Sequence, residues 1–184
     1  MAAVTEKKKY TYEDYLKTPD DKRYELIEGD LLMTPSPTAR HQRLAKRIGF
    51  ALDKFVTENS LGEVFIAPFD VHLDNENVFE PDILFISKDR MSIIGEKNVQ
   101  GAPDFVVEVL SESTAYRDTI QKKKMYAKFG VKEYWIVAPD DKLVEVYVLK
   151  NRGEYQLLKT YDEKGIIESQ VIKGFKIDLV KIFA

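Results

Sequence analysis

The chain has 184 residues, of which 44% are hydrophobic and 32% are charged. These proportions are typical of a globular protein, and we predict a single domain over residues 1–184. The formal net charge of −3 excludes a protein that coats nucleic acid through a broad excess of basic residues. The sequence has no cysteine, which excludes thiol chemistry. No apolar run approaches the ~20 residues of a membrane span. We therefore expect a cytoplasmic protein that makes no membrane contact.

The N-terminal half predicts alternating helices and strands. A threonine cap predicts a short helix over residues 11–16, and a turn containing glycine predicts a hairpin over residues 24–33. Apolar residues then recur at helical spacing over residues 38–59. Beyond this helix, β-branched and aromatic residues predict one strand over residues 64–73, and a continuous apolar run predicts a covered strand over residues 83–86.

The next segment predicts a strand, a helix and another strand. The strand covers residues 105–110, and Ser113 or Thr114 then caps a helix that ends at Gly130. Residues 133–137 form the next apolar strand. This order favours strands that lie side by side beneath a helix.

The C-terminal part predicts antiparallel additions to the sheet. Residues 143–149 alternate between apolar and polar side chains, and glycines punctuate short apolar runs after them. The complete order predicts an α/β fold, with a mixed β-sheet flanked by helices and antiparallel hairpins at the N- and C-terminal ends. We expect the core to span about residues 38–138 and a hairpin extension to span about residues 139–184.

Two carboxylates occupy informative places in the predicted strands. Glu108 lies inside the apolar strand over residues 105–110, where an unpartnered ionised carboxylate is energetically unfavourable. A metal ion, a lysine, a raised pKa, or a structural pair with a buried arginine or tyrosine would each compensate this charge. Asp82 opens the strand over residues 83–86. Because two strands with one carboxylate each can hold a hard cation, the pair favours an Mg²⁺ site.

The helix after Glu108 carries a candidate counter-charge. Asp118, Lys122 and Tyr126 fall at i, i+4 and i+8, so they share one face of the helix. This spacing is also that of an ordinary surface ion pair. If the face turns towards the strand ends, Lys122 would offset the carboxylates, with Lys124 as the alternative.

Two basic segments could make local contacts with nucleic acid, although charge runs of this kind are usually solvated helix faces. The first contains Arg40, Arg43, Lys46 and Arg47, and the second contains Lys122, Lys123 and Lys124. From these we select Arg40, Arg43 and Lys123 as candidate nucleic-acid-binding residues.

Several segments, taken together, form a pattern that is specific to one protein family. They are residues 24–29, His41-Gln42, residues 81–83, residues 103–111 with Ser113-Thr114, and Asp118, Lys122 and Tyr126 with residues 130–137. In these segments the chain resembles the Uma family, which is classed with the restriction endonucleases in the PD-(D/E)XK nuclease superfamily. The resemblance extends over nearly the whole chain and implies a restriction-endonuclease-like fold.

The resemblance also implies roles for the two carboxylates. Asp82 and Glu108 correspond to the ligands of Mg²⁺, with Mn²⁺ as a possible substitute. The superfamily places a lysine two residues after the glutamate, but this chain has Leu110 there. Some members are thought to supply the lysine from the neighbouring helix, and Lys122 is our candidate for that role.

Two further residues are candidates for the outer part of the same site. They are Glu25, which we prefer to Glu28, and His41 at the start of the first long helix. We accordingly expect a metal-dependent endonuclease, with DNA as the expected substrate. The alternative is a catalytically inactive module for binding or oligomerisation, and hydrolysis of a smaller phosphoester is a third possibility. Strand edges in the C-terminal tail also favour a homodimer.

Overall fold

The computed structural model describes residues 8–19, 21–150 and 153–184, and its larger β-sheet has six strands. In spatial order these strands are β11 (Glu154–Tyr161), β10 (Leu143–Lys150), β9 (Glu133–Ala138), β8 (Phe105–Val109), β6 (Ile83–Ser87) and β3 (Gly62–Ile66). The central strands β8 and β9 run parallel, whereas the other neighbours are antiparallel. The mixed sheet predicted from the sequence is therefore confirmed.

Both faces of the larger sheet are covered. Phe105 and Val107 on β8 belong to one apolar cluster, whereas Val106 belongs to another, and all three side chains are fully buried. Because successive side chains on a strand point to opposite faces, Glu108 lies on the same face as Val106. That face therefore receives a carboxylate in an otherwise apolar layer.

The first face packs against helix α2 (Ala39–Glu58). The hydroxyl of Thr38 caps this helix by accepting a hydrogen bond from the backbone N–H of His41 at 3.2 Å. The C-terminal elements cover the same cluster, and they are β12 (Ile166–Glu168), β13 (Lys176–Asp178) and α4 (Leu179–Phe183). The tail thus contributes buried side chains to the main core as well as hairpins.

The second face packs against a smaller sheet of five strands. In spatial order these strands are β2 (Asp30–Thr34), β1 (Arg23–Ile27), β5 (Asn77–Phe79), β4 (Asp70–Asp74) and β7 (Asn98–Gln100). The antiparallel pair β1–β2 is the hairpin expected from the sequence. Its turn places Glu28 and Gly29 at φ values of 49° and 78°, a conformation that glycine adopts without steric penalty.

The prediction of one strand over residues 64–73 is wrong. Strand β3 ends at Ile66 and β4 begins at Asp70, and the two strands belong to different sheets. Pro68 lies between them and has no N–H to donate to a strand ladder, which explains why pairing is interrupted there. The chain crosses between the two sheets at this proline.

The helix predicted to end at Gly130 is present, but its geometry is not uniform. A π-helix spans Arg117–Lys122 and continues into α3 (Lys123–Phe129). Gly130 follows at φ 91°, which is the left-handed conformation of a helix C-terminus. The remaining helices are α1 (Tyr12–Tyr15) and a 3-10 helix (Lys88–Ile93). Within the described ranges, no helix combines the length and apolar character needed to cross a membrane.

Candidate active site

A cleft of about 950 Å³ opens where the starts of α2 and β6 meet the end of β8. Seven carboxylate residues line it, and they are Glu25, Glu80, Asp82, Glu108, Glu112, Asp118 and Asp140. The basic side chains that line it belong to Arg23, Arg40, His41 and Lys122. The two sheets, helix α2 and the π-helix each contribute to this set. The cleft is therefore assembled from segments that are far apart in the sequence.

Glu108 is 3% exposed and has three polar neighbours. Its Oε1 accepts hydrogen bonds from Lys122 Nζ and Tyr126 Oη, each at 2.9 Å, and its Oε2 lies 3.4 Å from the backbone nitrogen of Asp82. Burial raises the pKa of Glu108 well above its usual value, against the opposing charge of Lys122. Neighbouring carboxylates add to the increase in this pKa. The buried charge of Glu108 is therefore compensated by a lysine, by a tyrosine and by a raised pKa together.

Asp82 immediately precedes β6 and is held by the neighbouring strand and helix. Its Oδ2 accepts a hydrogen bond from the backbone N–H of Val109 at 2.7 Å and lies 3.1 Å from His41 Nε2. The side chain of Asp82 remains 17% exposed, compared with 4% for that of Glu108. Asp82 is thus the more accessible member of the carboxylate pair.

Lys122 lies at the centre of three carboxylates. Its Nζ is 2.7 Å from Glu25 Oε1, 2.9 Å from Glu108 Oε1 and 3.2 Å from Asp118 Oδ1, and the residue is 4% exposed. Burial would lower the pKa of Lys122, but the surrounding carboxylates outweigh burial and raise it well above its usual value. The ammonium therefore stays charged. One cation therefore serves three carboxyl groups at the inner end of the cleft.

His41 is buried in the first turn of α2, and its ring contacts Asp82 through Nε2. Burial lowers the pKa of His41, but the hydrogen bond and charge of Asp82 outweigh it, so the net shift is upward. A protonated His41 would complete an ion pair with Asp82. The geometry makes His41 an orienting group for this carboxylate.

Of the other basic residues selected from the sequence, only Arg40 lines the cleft. Lys124 is 65% exposed and pairs with Glu28 at 2.9 Å, and Lys123 lies 4.5 Å above the ring of Tyr147. Neither lysine lines the cleft. Arg40 lines it and pairs with Asp140 at 2.5 Å. Arg43 instead lines a second, smaller cavity.

Four residues near the carboxylate pair were not among the site residues selected from the sequence. Asp118 and Tyr126 are buried beside Lys122, although their shared helix face had been compatible with a surface ion pair. Arg23 and Glu80 line the cleft and pair at 2.9 Å. Burial raises the pKa of Glu80, with Arg23 opposing the shift. The helical spacing was a usable signal for the first two residues, whereas no local pattern indicated the second pair.

The carboxylates of the cleft fit a divalent cation only in part. Among the described residues, no group of three or more histidine and carboxylate side chains is arranged to hold a metal ion. Asp82, immediately before β6, and Glu108 on the neighbouring antiparallel strand β8 offer two carboxylates. Mg²⁺ is commonly bound by one or two carboxylates that are completed by waters and substrate phosphates. The residues therefore fit a cation that is bound together with its substrate, and they do not form a complete protein cage.

The architecture is that of a restriction-endonuclease-like fold. It matches the "Crystal structure of a putative nuclease belonging to DUF820" from Anabaena variabilis with a TM-score of 0.78 and 19% sequence identity, over 94% of this chain and 97% of that chain. Residues 12–180 match the model of the Uma2 family, described as "Putative restriction endonuclease", and the chain belongs to this family. It is also 24% identical over 177 residues to "Uncharacterized protein sll1609" from Synechocystis, covering 94% of this chain and 99% of that protein. The resemblance identified from the sequence is confirmed.

Proposed function

We propose that this protein is a divalent-metal-dependent nuclease that hydrolyses phosphodiester bonds in nucleic acid, with DNA as the expected substrate. The observation that carries the proposal is the position of Lys122 Nζ, 2.9 Å from Glu108 Oε1. Membership of a family described as restriction endonucleases supports the same reaction class. Two carboxylates at one cleft can hold a metal ion for such a hydrolysis, and a nearby ammonium can stabilise the charge that develops on the phosphate.

The lysine of this site lies on the helix, and the strand position where related nucleases have a lysine is apolar in this chain. Leu110 is two residues after Glu108 and also lines the cleft. An apolar side chain can neither donate a proton nor balance a negative charge. Lys122 supplies the positive charge from the π-helix, and the three surrounding carboxylates keep it protonated. π-helical turns occur frequently at functional sites.

In the proposed reaction, Asp82 and Glu108 would hold Mg²⁺ or Mn²⁺. The bound cation would lower the pKa of an attacking water and offset charge on the phosphate. His41 orients Asp82 through the 3.1 Å contact with Oδ2. Lys122 and Tyr126 fix Glu108 through two hydrogen bonds to Oε1 and leave its other oxygen towards Asp82.

A second candidate function is a binding or oligomerisation module without catalytic activity. The observation that favours it is the same ammonium, because Lys122 already neutralises part of the buried carboxylate cluster. A lysine that caps the carboxylates could replace the metal ion as the compensating charge. The two functions differ in whether the cleft binds a divalent cation.

The test is isothermal titration calorimetry with Mg²⁺ and Mn²⁺, followed by incubation with plasmid and single-stranded DNA. We expect Asp82→Asn and Glu108→Gln to weaken metal binding about 10-fold or more and to reduce nicking about 100-fold or more. Glu133→Gln is the matched control, because Glu133 is also buried but bonds to Trp135 and Ser169 outside the cleft. A wild-type protein that neither binds these cations nor nicks DNA would establish the non-catalytic module instead.

A rescue experiment tests the position of the lysine. Lys122→Met should abolish nicking, and adding Leu110→Lys to that variant should restore part of it, because residue 110 lines the same cleft. Leu110→Met in the Lys122→Met background is the control for the change of side chain. Equal nicking by the two double variants would contradict the proposed role of the ammonium.

We further propose that the chain forms a homodimer through β11. This strand lies at the edge of the larger sheet, and it exposes Leu157 and Leu158 by 45% and 46%. Unpaired strand edges with apolar side chains invite pairing with another copy. Light scattering should give a dimer for the wild type and a monomer for Leu158→Asp. Val180→Asp on α4, where Val180 is 55% exposed, should remain dimeric.

A further inference from the structure

A row of three arginines on α2 leads away from the cleft. Arg40, Arg43 and Arg47 are separated by three and four residues, so they lie on one side of the helix. All three line a second cavity of about 260 Å³, together with Leu44 and Phe183. Arg40 lines both this cavity and the main cleft, so the two cavities meet at its side chain.

We propose that this arginine row is the path of a nucleic-acid strand that extends from the cleft, with the phosphates on the guanidinium groups. This inference rests on the proposed function, since it requires a nucleic-acid substrate in the cleft. Seven residues of α-helix rise about 10.5 Å from Arg40 to Arg47. Duplex DNA rises about 3.4 Å along its axis for each base pair, so the row matches the axial length of about three base pairs.

The contacts of the three arginines differ, and the difference identifies the residue that is free to bind. Arg47 Nη1 donates a hydrogen bond to the carbonyl of Ile182 at 2.7 Å, so it also anchors α4. Arg40 keeps its ion pair with Asp140. Arg43 is exposed and forms no hydrogen bond or ion pair with the described residues. An unpaired guanidinium between two anchored ones is available for a phosphate.

The composition of the second cavity also suits a nucleotide chain. Guanidinium groups provide donors for phosphate oxygens, whereas Leu44 and Phe183 provide an apolar surface. Nucleic-acid grooves combine positive charge along the backbone with apolar or aromatic contacts to sugars and bases. The overall charge of −3 makes such a local row necessary for any backbone contact.

The experiment measures binding separately from cleavage. Fluorescence anisotropy with a labelled duplex and a labelled single strand, in EDTA and over a range of salt concentrations, compares wild type with Arg43→Gln. We expect affinity to fall about 10-fold, and the slope of log affinity against log salt to decrease by about 0.9 for the duplex. Lys46→Gln is the control, because Lys46 is exposed on the same helix but lines neither cavity. It should change affinity less than about two-fold, and Arg43→Lys should keep most of the salt slope.

The outcomes separate this inference from the proposed catalytic function. Equal losses in Arg43→Gln and Lys46→Gln would overturn the arginine path, because they would reflect general charge alone. Wild type that nicks DNA while Arg43→Gln binds normally would overturn the path and leave the nuclease function intact. Binding that depends on Arg43 in a protein that never nicks DNA would support the path and refute catalysis. No binding of either probe by wild type would overturn the path.

Discussion

Replacing Lys122 with methionine removes the cation that lies among three buried carboxylates. The substitution roughly preserves the length of the side chain, so the change is mainly the loss of charge from contacts of 2.7, 2.9 and 3.2 Å. Removing one partner of a buried ion pair typically destabilises a protein by about 3–5 kcal/mol. Because domains of this kind are stable by about 5–15 kcal/mol, Lys122→Met should unfold at a clearly lower urea concentration.

The effect of this substitution should depend on pH, and the sign follows from Glu108. Burial raises the pKa of Glu108 above its usual value of 4.5, and losing Lys122 raises it further. An acid whose pKa is higher in the folded state than in the unfolded state stabilises the fold at low pH. This contribution is lost as the pH rises through the folded-state pKa. The destabilisation by Lys122→Met should therefore be largest near about pH 8 and smaller near about pH 5.

Urea denaturation at both pH values measures this effect, with Lys124→Met as the matched control. Lys124 lies on α3, and its pair with Glu28 is largely exposed, so its loss should change stability by about 0–1 kcal/mol. The same samples should be assayed for DNA nicking, which we expect only Lys122→Met to lose. A destabilisation below about 1 kcal/mol, or one equal at both pH values, would refute the argument that Lys122 compensates buried carboxylates.

Three further substitutions test neighbouring parts of the structure. Tyr126→Phe removes a buried hydroxyl that donates to Glu108 Oε1, and urea denaturation should show a loss of about 1–2 kcal/mol; no loss would mean that the hydrogen bond is not stabilising. The raised pKa of His41 predicts a stabilising contribution below pH 6.5 that is lost as pH rises through its folded value, so His41→Asn should flatten this part of the stability profile. An unchanged profile would contradict the pairing of His41 with Asp82. Glu133→Gln should lower stability by about 1–3 kcal/mol because its Oε2 accepts three hydrogen bonds, and it should leave DNA nicking unchanged.

The elements that were predicted from the sequence are those with strong local patterns. The amphipathic spacing of α2 and the continuous apolar run of β8 correspond to buried faces in the structure. The failure over residues 64–73 has a local cause as well, because Pro68 was included within a strand pattern that it interrupts. The π-helix had no sequence signal, since its side chains are compatible with an ordinary α-helix.

Part of the candidate site was also readable from the sequence. A carboxylate inside an apolar strand requires compensation wherever it occurs, and this singled out Glu108. The same criterion applies to Glu133, which is equally buried but satisfied by Trp135 and Ser169 on the opposite side of the sheet. The apolar-strand criterion does not distinguish these two glutamates, because the distinction depends on residues brought near by folding.

The sequence by itself indicated the family and the mixed sheet, because these depend on short motifs and local periodicity. It also predicted that Asp82 and Glu108 act as a pair. Only the tertiary structure decided which lysine meets the carboxylates. Lys122 and Lys124 are the same residue type two positions apart, but the phase of the helix buries one and exposes the other. Glu25 reaches the same ammonium from the N-terminal hairpin. Contacts between distant segments form when apolar faces pack together, and no local pattern encodes which polar side chains that packing will enclose.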